Sequence, residues 1–381
     1  MTIQTGRHNR RLTRIDQIGQ LSQREKAVLE EVAARFAFRC NDDYLSLINW
    51  DDPNDPIRRV IVPQARELEE WGRLDPSNES TYTVMPGVEH KYSYTVLLLV
   101  SSVCEGLCRY CFRKRVFMDS ERERLRDVPA AMEYIAGQEQ VTNVLLTGGD
   151  PLTLATPKLA DIVRRLREIE HVQIIRIGSR MLSFNPYRVI EDPDLLRMFQ
   201  QYSTAHRKIY IMTHFVHPRE LTDAAVEALL LLQNAGVVTA NQAPLIRGVN
   251  DDPEVLAELL RKLSFVGAAP YYIFQCRPAV GNKAYTVPIE EGYEIVEQAK
   301  ARVSGLAKRL RYTMSHSTGK IEILGKWSGQ MYLKYHRAAS DSDNGRFLVF
   351  NSNPSACWLD DYEEVASSYP PDRPYRVCGP E

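Results

Sequence analysis

The chain has 381 residues, 44% of them apolar, 25% charged and 9% aromatic, which suits a sizeable globular core and excludes a disordered, collagen-like or coiled-coil protein. Its 48 Lys and Arg offset 49 Asp and Glu to a net charge of −1, so bulk electrostatics favours neither nucleic acid nor an anionic membrane as partner. Apolar runs such as 95–100 and 226–232 stop short of the roughly 18 residues that cross a bilayer, and no apolar stretch follows Arg7, His8, Arg10 and Arg11 as in a secretory signal, so a cytoplasmic protein is expected.

Residues 1–90 read as a helical N-terminal extension, with Ser22 and Glu25 in capping-box spacing ahead of Leu29, Val32, Ala33 and Phe36. Aliphatic runs at 94–100, 143–147, 172–178, 208–214, 237–242 and 270–275 then predict buried strands. Between them lie amphipathic stretches such as Leu159, Ile162, Val163, Leu166 and Ile169, and Asp192-Pro193 and Asp252-Pro253 predict helix starts. Six strand-then-helix units imply a parallel α/β sheet, either a partial (β/α)6 barrel or a doubly wound sheet.

The barrel is favoured because each strand ends in polar residues that a barrel would gather at one mouth. These are the cysteine loop, Gly148-Gly149-Asp150, Gly178-Ser179-Arg180, Thr213-His214, Asn241-Gln242 and Gln275-Cys276-Arg277. The expected organisation is an extension over 1–90, the barrel over 91–305, a segment over 306–337 and a polar C-terminal arm over 338–381, strand-like only at 346–350.

Of seven cysteines, Cys104, Cys108 and Cys111 crowd into one loop as C-x3-C-x2-C, with Gly106 to let the backbone turn. A structural zinc site would need a second knuckle, and its alternative here is completion by His90 or Cys276. A four-iron cluster held by three thiolates instead keeps one iron open for a ligand. The spacing, together with Tyr110, Phe112 and Gly148-Gly149-Asp150, resembles the radical S-adenosylmethionine (radical SAM) enzymes. That resemblance implies a [4Fe-4S] cluster whose open iron binds SAM, reductive cleavage to a 5′-deoxyadenosyl radical, and a glycine pair that admits the methionyl amine.

A closer resemblance runs through residues 40–325. Its segments are Tyr44-Leu45-Ser46-Leu47, Asp52-Pro53-Asn54-Asp55-Pro56-Ile57-Arg58-Arg59, Lys91-Tyr92, Arg176-Ile177-Gly178-Ser179-Arg180, Thr213-His214-Phe215-Val216-His217-Pro218 and Arg247-Gly248-Val249-Asn250-Asp251. They resemble the lysine 2,3-aminomutase family of radical SAM enzymes, which adds pyridoxal 5′-phosphate (PLP) and moves an amino group between the α and β carbons of an amino acid. The resemblance implies that Lys320 carries PLP, that Lys91 and Tyr92 form part of its phosphate site with Thr95 where a second arginine is usual, and that Arg113 grips the substrate α-carboxylate. Ser179, Arg180, His214 and Gln242, with Gly148, Gly149 and Asp150, match cofactor-side positions. An electron donor such as flavodoxin or ferredoxin and a homo-oligomer are also implied. Asp252 stands where the family has a zinc-binding cysteine, so that metal is not expected, and Cys357 and Cys378 read as ordinary thiols.

The family's lysine users hold the distal ammonium with two aspartates, one directly after the Gln-Cys pair and one shortly before the PLP lysine. Here the first position is Arg277, and residues 307–319 contain no Asp or Glu. Two positive charges ~4 Å apart repel by about 4 kcal/mol at an effective dielectric of 20. The expected substrate is therefore an amino acid other than lysine, with an acidic one suggested unless Arg277 merely pairs with a nearby acid such as Glu290 or Glu291. The alternatives are an enzyme of the same fold with a PLP-independent reaction, and a cluster-bearing binding protein without turnover.

Overall fold

The computed structural model describes residues 10–118, 123–363 and 365; Arg7, His8 and Cys378, for which expectations were stated, lie outside the described residues. Twelve strands form one sheet in which every strand neighbours the next in sequence. They are β1 (Thr83–Met85), β2 (Val88–Tyr92), β3 (Thr95–Ser101), β4 (Asn143–Gly148), β5 (Ile174–Ser179), β6 (Ile209–Thr213), β7 (Val238–Pro244), β8 (Ala269–Phe274), β9 (Arg311–His316), β10 (Gly319–Trp327), β11 (Gln330–Ala338) and β12 (Phe347–Asn351). From β3 to β9 every pairing is parallel, whereas β1 and β2 before them and β10 to β12 after them pair antiparallel.

This order separates the two sheet architectures. A doubly wound sheet reverses its strand order at a switch point, but here the order runs one way throughout, and by the right-handed rule for parallel units such an order puts the helices on one side. The result is an open, barrel-like wall, and among the described residues its first and last strands do not pair. The parallel set has one strand more than the six expected, because β9 pairs with β8. Its sequence, Arg-Tyr-Thr-Met-Ser-His, is too polar to register as a buried run.

An N-terminal helix, α1 (Gln23–Arg35), begins at Ser22, whose hydroxyl accepts from Glu25 N–H while the Glu25 carboxylate returns to the Ser22 amide. The crossover helices are α2 (Val128–Ala136), α3 (Thr156–Glu168), α4 (Pro193–Tyr202), α5 (Asp223–Asn234), α6 (Pro253–Phe265) and α7 (Ile289–Ala301). Asp192 and Asp252 cap α4 and α6, each followed by proline as expected. Leu159, Ile162, Val163 and Leu166 of α3 pack in one core with Val144, Leu146, Ile175, Ile177, Ile209 and Ile211 of the strands. Each such side chain contributes about 1.5–3 kcal/mol.

The strands are not buried on both faces. Alternate residues of β4, β5 and β7 are only half-buried, and this second face carries Asn143, Thr147, Arg176 and Gln242. The stretch before residue 90 also departs from an all-helical extension, since β1 and β2 join the sheet and Arg11–Leu12 pairs with Cys40–Asn41. No helix of the described residues is long and apolar enough to cross a membrane.

Candidate active site

Cys104, Cys108 and Cys111 follow β3 in a loop gripped by the N-terminal segment. Arg39 donates to the Cys104 carbonyl at 3.1 Å, Leu107 N–H to Arg39 O at 2.9 Å, and Arg109 N–H to Val60 O at 2.9 Å. Between two of the cysteines, Arg109 is 1% exposed and forks onto Glu67 at 2.7–3.1 Å. Gly106 has no left-handed backbone; glycine is needed there because a Cβ would meet the Phe184 ring at 2.5 Å, a packing reason rather than the turning freedom expected. A narrow cleft lined by Phe36, Cys108, Cys111, Lys114 and Phe117 opens beside the sulfurs.

The glycine pair at the end of β4 packs against the cysteine loop. Gly149 N–H donates to Ser101 O at 2.6 Å and Asp150 N–H to Val103 O at 2.7 Å, stitching this turn to the root of the cysteine loop. A Cβ on Gly148 or Gly149 would come within 2.4 Å of Ser101 O or Val103 O. The Asp150 carboxylate accepts from Ser179 Oγ at 3.0 Å, Arg180 N–H at 2.8 Å and Leu152 N–H at 2.9 Å, so it braces the next strand's exit; burial raises it to about 6.

Arg180 crosses from that exit to the cysteines. One guanidinium nitrogen donates to Cys108 Sγ at 3.0 Å and to Tyr110 Oη, the other to Tyr44 Oη at 3.1 Å and to Glu220. Tyr44 and Tyr110 lay in motifs already noted, but Glu220 carried no sequence signal. His214 follows β6 with its ring stacked on Tyr110, 6.2 Å between centroids, and its buried Nε2 has no partner. Burial and then Arg180 hold this imidazole neutral, down to about 3. Gln242 is half-buried on β7, with no side-chain hydrogen bond among the described residues.

Lys320 lies on β10, after the two-residue turn Ser317-Thr318, and not at a helix end. Its ammonium nitrogen stands 4.3 Å from the Tyr272 ring centre and 5.1 Å from that of Phe274. Burial, then Arg176, Arg337, Arg277 and Lys91, push the amine well below its ordinary value. Lys91 Nζ donates to His316 O at 2.6 Å and lies 5.0 Å from the Tyr82 ring centre and 5.7 Å from that of Tyr92; burial brings it down to about 8.

Arg113 and Arg277 are brought together by a residue that sequence reasoning missed, Glu79. Arg113 forks onto its carboxylate at 2.9 and 3.1 Å and donates its third nitrogen to Thr147 Oγ1 at 3.0 Å. Arg115 reaches the same carboxylate at 2.6 Å and Arg277 at 3.5 Å. Arg113 is thus a buried ion pair here, so an incoming carboxylate must share or displace Glu79. Arg277 rests 3.6 Å from the Phe112 ring centre, and its buried Nη1 makes no hydrogen bond. The acid it pairs with is Glu79, shared with Arg113 and Arg115, and not Glu290, bound by Lys326 at 2.6 Å, or Glu291, bound by Arg247 at 2.6 Å.

The matching family model, the Radical SAM superfamily, covers residues 98–260. A protein of Aquifex aeolicus (strain VF5), provisionally named L-lysine 2,3-aminomutase, is 54% identical over 353 residues, 92% of this chain and 94% of its own. The chain belongs to the lysine 2,3-aminomutase family of radical SAM enzymes. Within this family, L-lysine 2,3-aminomutase of Clostridium subterminale is 40% identical over 69% of this chain and 62% of its own. Glutamate 2,3-aminomutase of Clostridioides difficile is 35% identical over 78% of this chain and 70% of its own.

The protein is therefore an isomerase of the aminomutase type, with the family's cofactors: a [4Fe-4S] cluster, SAM and PLP. The residues present fit them. Each thiolate of such a cluster binds a different iron, so the sulfurs need not converge on one point. Among the described residues no three His, Cys, Asp or Glu side chains are grouped to hold a single metal ion. His90 is engaged by Tyr134 at 2.8 Å, and Cys276 is buried. Buried side-chain atoms without a hydrogen bond at His214 after β6, Thr313 on β9 and Arg277 after β8 are the kind that a bound ligand satisfies. Asp252 is a helix cap, and Cys357 is a half-buried free thiol.

Proposed function

We propose that the protein is a 2,3-aminomutase for an α-amino acid other than lysine, one with an acidic or hydrogen-bond-accepting side chain. The observation that carries the reading is the charge at Arg277: Glu79 is one carboxylate shared among Arg113, Arg115 and Arg277. Arg115 is also held by Glu123 at 2.9 Å and lies 3.6 Å from Asp75, while burial and then Glu79 raise the pKa of the neighbouring Glu89 to about 8. Arg277 itself, whose buried Nη1 makes no hydrogen bond, is the cation that favours a substrate anion and opposes an ammonium.

In this reading Cys104, Cys108 and Cys111 hold the cluster, while the Gly148-Gly149 turn, Ser179, Arg180, His214 and Gln242 flank SAM. Asp150 belongs to the same flank, which it braces through Ser179 and Arg180. Lys320, whose amine burial pushes well below its ordinary value, carries PLP, Lys91 and Tyr92 lie toward its phosphate, and Arg113 receives the substrate α-carboxylate. When bound, SAM and the reduced cluster supply a carbon radical that removes a substrate hydrogen, and PLP supplies the π-system that lets nitrogen move one carbon. The chain orients these groups and keeps water out, with Arg113 and Arg277 fixing the two ends of the substrate. A reducing partner of the flavodoxin or ferredoxin class delivers the electron.

The test is an anaerobic screen of the common amino acids with the reconstituted protein, products being identified by NMR. The reading expects a β-amino acid from an acidic or amide substrate and none from lysine. It also expects Cys108→Ala to lose iron and SAM cleavage, and Lys320→Ala to lose the visible band of lysine-bound PLP. Turnover of lysine above all others overturns the substrate reading; SAM cleavage without any PLP band supports the PLP-independent alternative.

A further inference from the structure

The half-buried face around Lys320 gathers cations from four strands with little acid to balance them. Arg337 on β11 is the register partner of Lys320 on β10, so the two side chains leave the sheet on the same side. Its guanidinium donates to Thr95 Oγ1 on β3 at 2.8 Å and lies 4.4 Å from the Tyr92 ring centre on β2. Arg176, on β5, donates to Asn143 Oδ1 at 2.9 Å. Lys91 stands beside Tyr92. Among the described residues neither Arg176 nor Arg337 forms an ion pair, and Asp341, a carboxylate that acts on Arg337 less than the surrounding tyrosines do, already accepts from Ser93 at 2.6 Å.

Half-buried guanidiniums without counter-charge are costly unless an anion joins them. Thr95, at the position where the family usually places a second arginine, is too short and uncharged for that task, yet its hydroxyl receives Arg337 from across the sheet. We propose that Arg337 is a phosphate-binding residue for PLP, a guanidinium supplied by β11 to the place that Thr95 leaves without charge, acting with Lys91, Tyr92 and Arg176. A planar fork suits the phosphate monoester, and its position opposite Lys320 places the phosphate and aldehyde ends of one small molecule on neighbouring strands. The inference rests on the reading that Lys320 carries PLP.

The test is titration of the cofactor-free protein with PLP and, separately, with pyridoxal, which has the aldehyde but no phosphate, both followed by the visible band of the lysine-bound form. Arg337→Gln is expected to weaken PLP by roughly tenfold or more while leaving pyridoxal unchanged. In the relocated pair Thr95→Arg with Arg337→Thr, PLP affinity should return toward the parent value, which also guards against a variant that merely folds poorly. Equal loss for PLP and pyridoxal, or no loss for either, overturns the assignment of Arg337 while leaving Lys320 standing. A parent protein that forms no band with PLP overturns the Lys320 reading and this inference with it.

Discussion

Arg109 and Glu67 form a bidentate ion pair inside the protein, with side chains 2% and 0% exposed and nitrogen–oxygen distances down to 2.7 Å. Arg109 sits between Cys108 and Tyr110, so the pair ties the cysteine loop to a segment some forty residues earlier. Tyr285 Oη also donates to Glu67, at 3.1 Å. Removing one partner of such a pair leaves a buried charge uncompensated and costs about 3–5 kcal/mol. Glu67→Ala is expected to lower stability by that order in urea unfolding and to reduce the iron retained after anaerobic reconstitution. Unchanged stability and iron content would remove Glu67 from the loop's support.

Gly149 tests the turn that meets the cysteine loop. A methyl group there stands 2.4 Å from Val103 O, which is backbone and cannot swing aside, whereas at Gly305 a Cβ meets nothing within 4 Å. Gly149→Ala should therefore lose most iron binding and SAM cleavage, with Gly305→Ala as the matched control that keeps both. Parity between the two variants would show that the close approach is dispensable.

Glu89 links the site to pH. Burial, then Glu79, raises its carboxyl from 4.5 to about 8 in the folded protein. Between those values the unfolded chain releases this proton and the folded chain keeps it, so stability falls as pH rises through the window and levels off above it. The contribution is on the order of 1 kcal/mol per pH unit. Glu89→Gln should flatten the decline of thermal stability between pH 5 and pH 8 and be the more stable protein at the alkaline end. A parallel decline in both proteins would refute the neutral Glu89.

Arg277 decides the substrate in the proposed function. Arg277→Asp should lower turnover of the native substrate by more than about tenfold, as expected when a charged contact is replaced by repulsion. It should also relax the exclusion of cationic amino acids, read as β-lysine formed from lysine. An unchanged substrate profile would take Arg277 out of substrate recognition.

How much of this could be read from residue order varies with the range of the interaction. The cysteine spacing, the Ser22 and Asp192 caps and the six aliphatic strands depend on neighbours a few positions away, and all are where the pattern puts them. The hairpin from β10 to β11 was also open to reading: Ser328-Gly329, both at positive φ, sit between alternating Ile321 and Ile323 on one side and Met331 and Leu333 on the other. The polar ninth strand was not, because it is defined by pairing with β8 rather than by its own apolarity.

Local order along the chain specified which chemistry is present: three thiolates on one loop, a lysine after a tight turn, an arginine where lysine users carry acid. Folding settled which of those groups face one another. Glu79 meets Arg113 from 34 residues away, Arg337 meets Thr95 from 242, and Arg180 meets Glu220 from 40. Such pairings have no signature in spacing. Charge interacts through space, and the distances that set its strength come into being only when the strands are laid side by side.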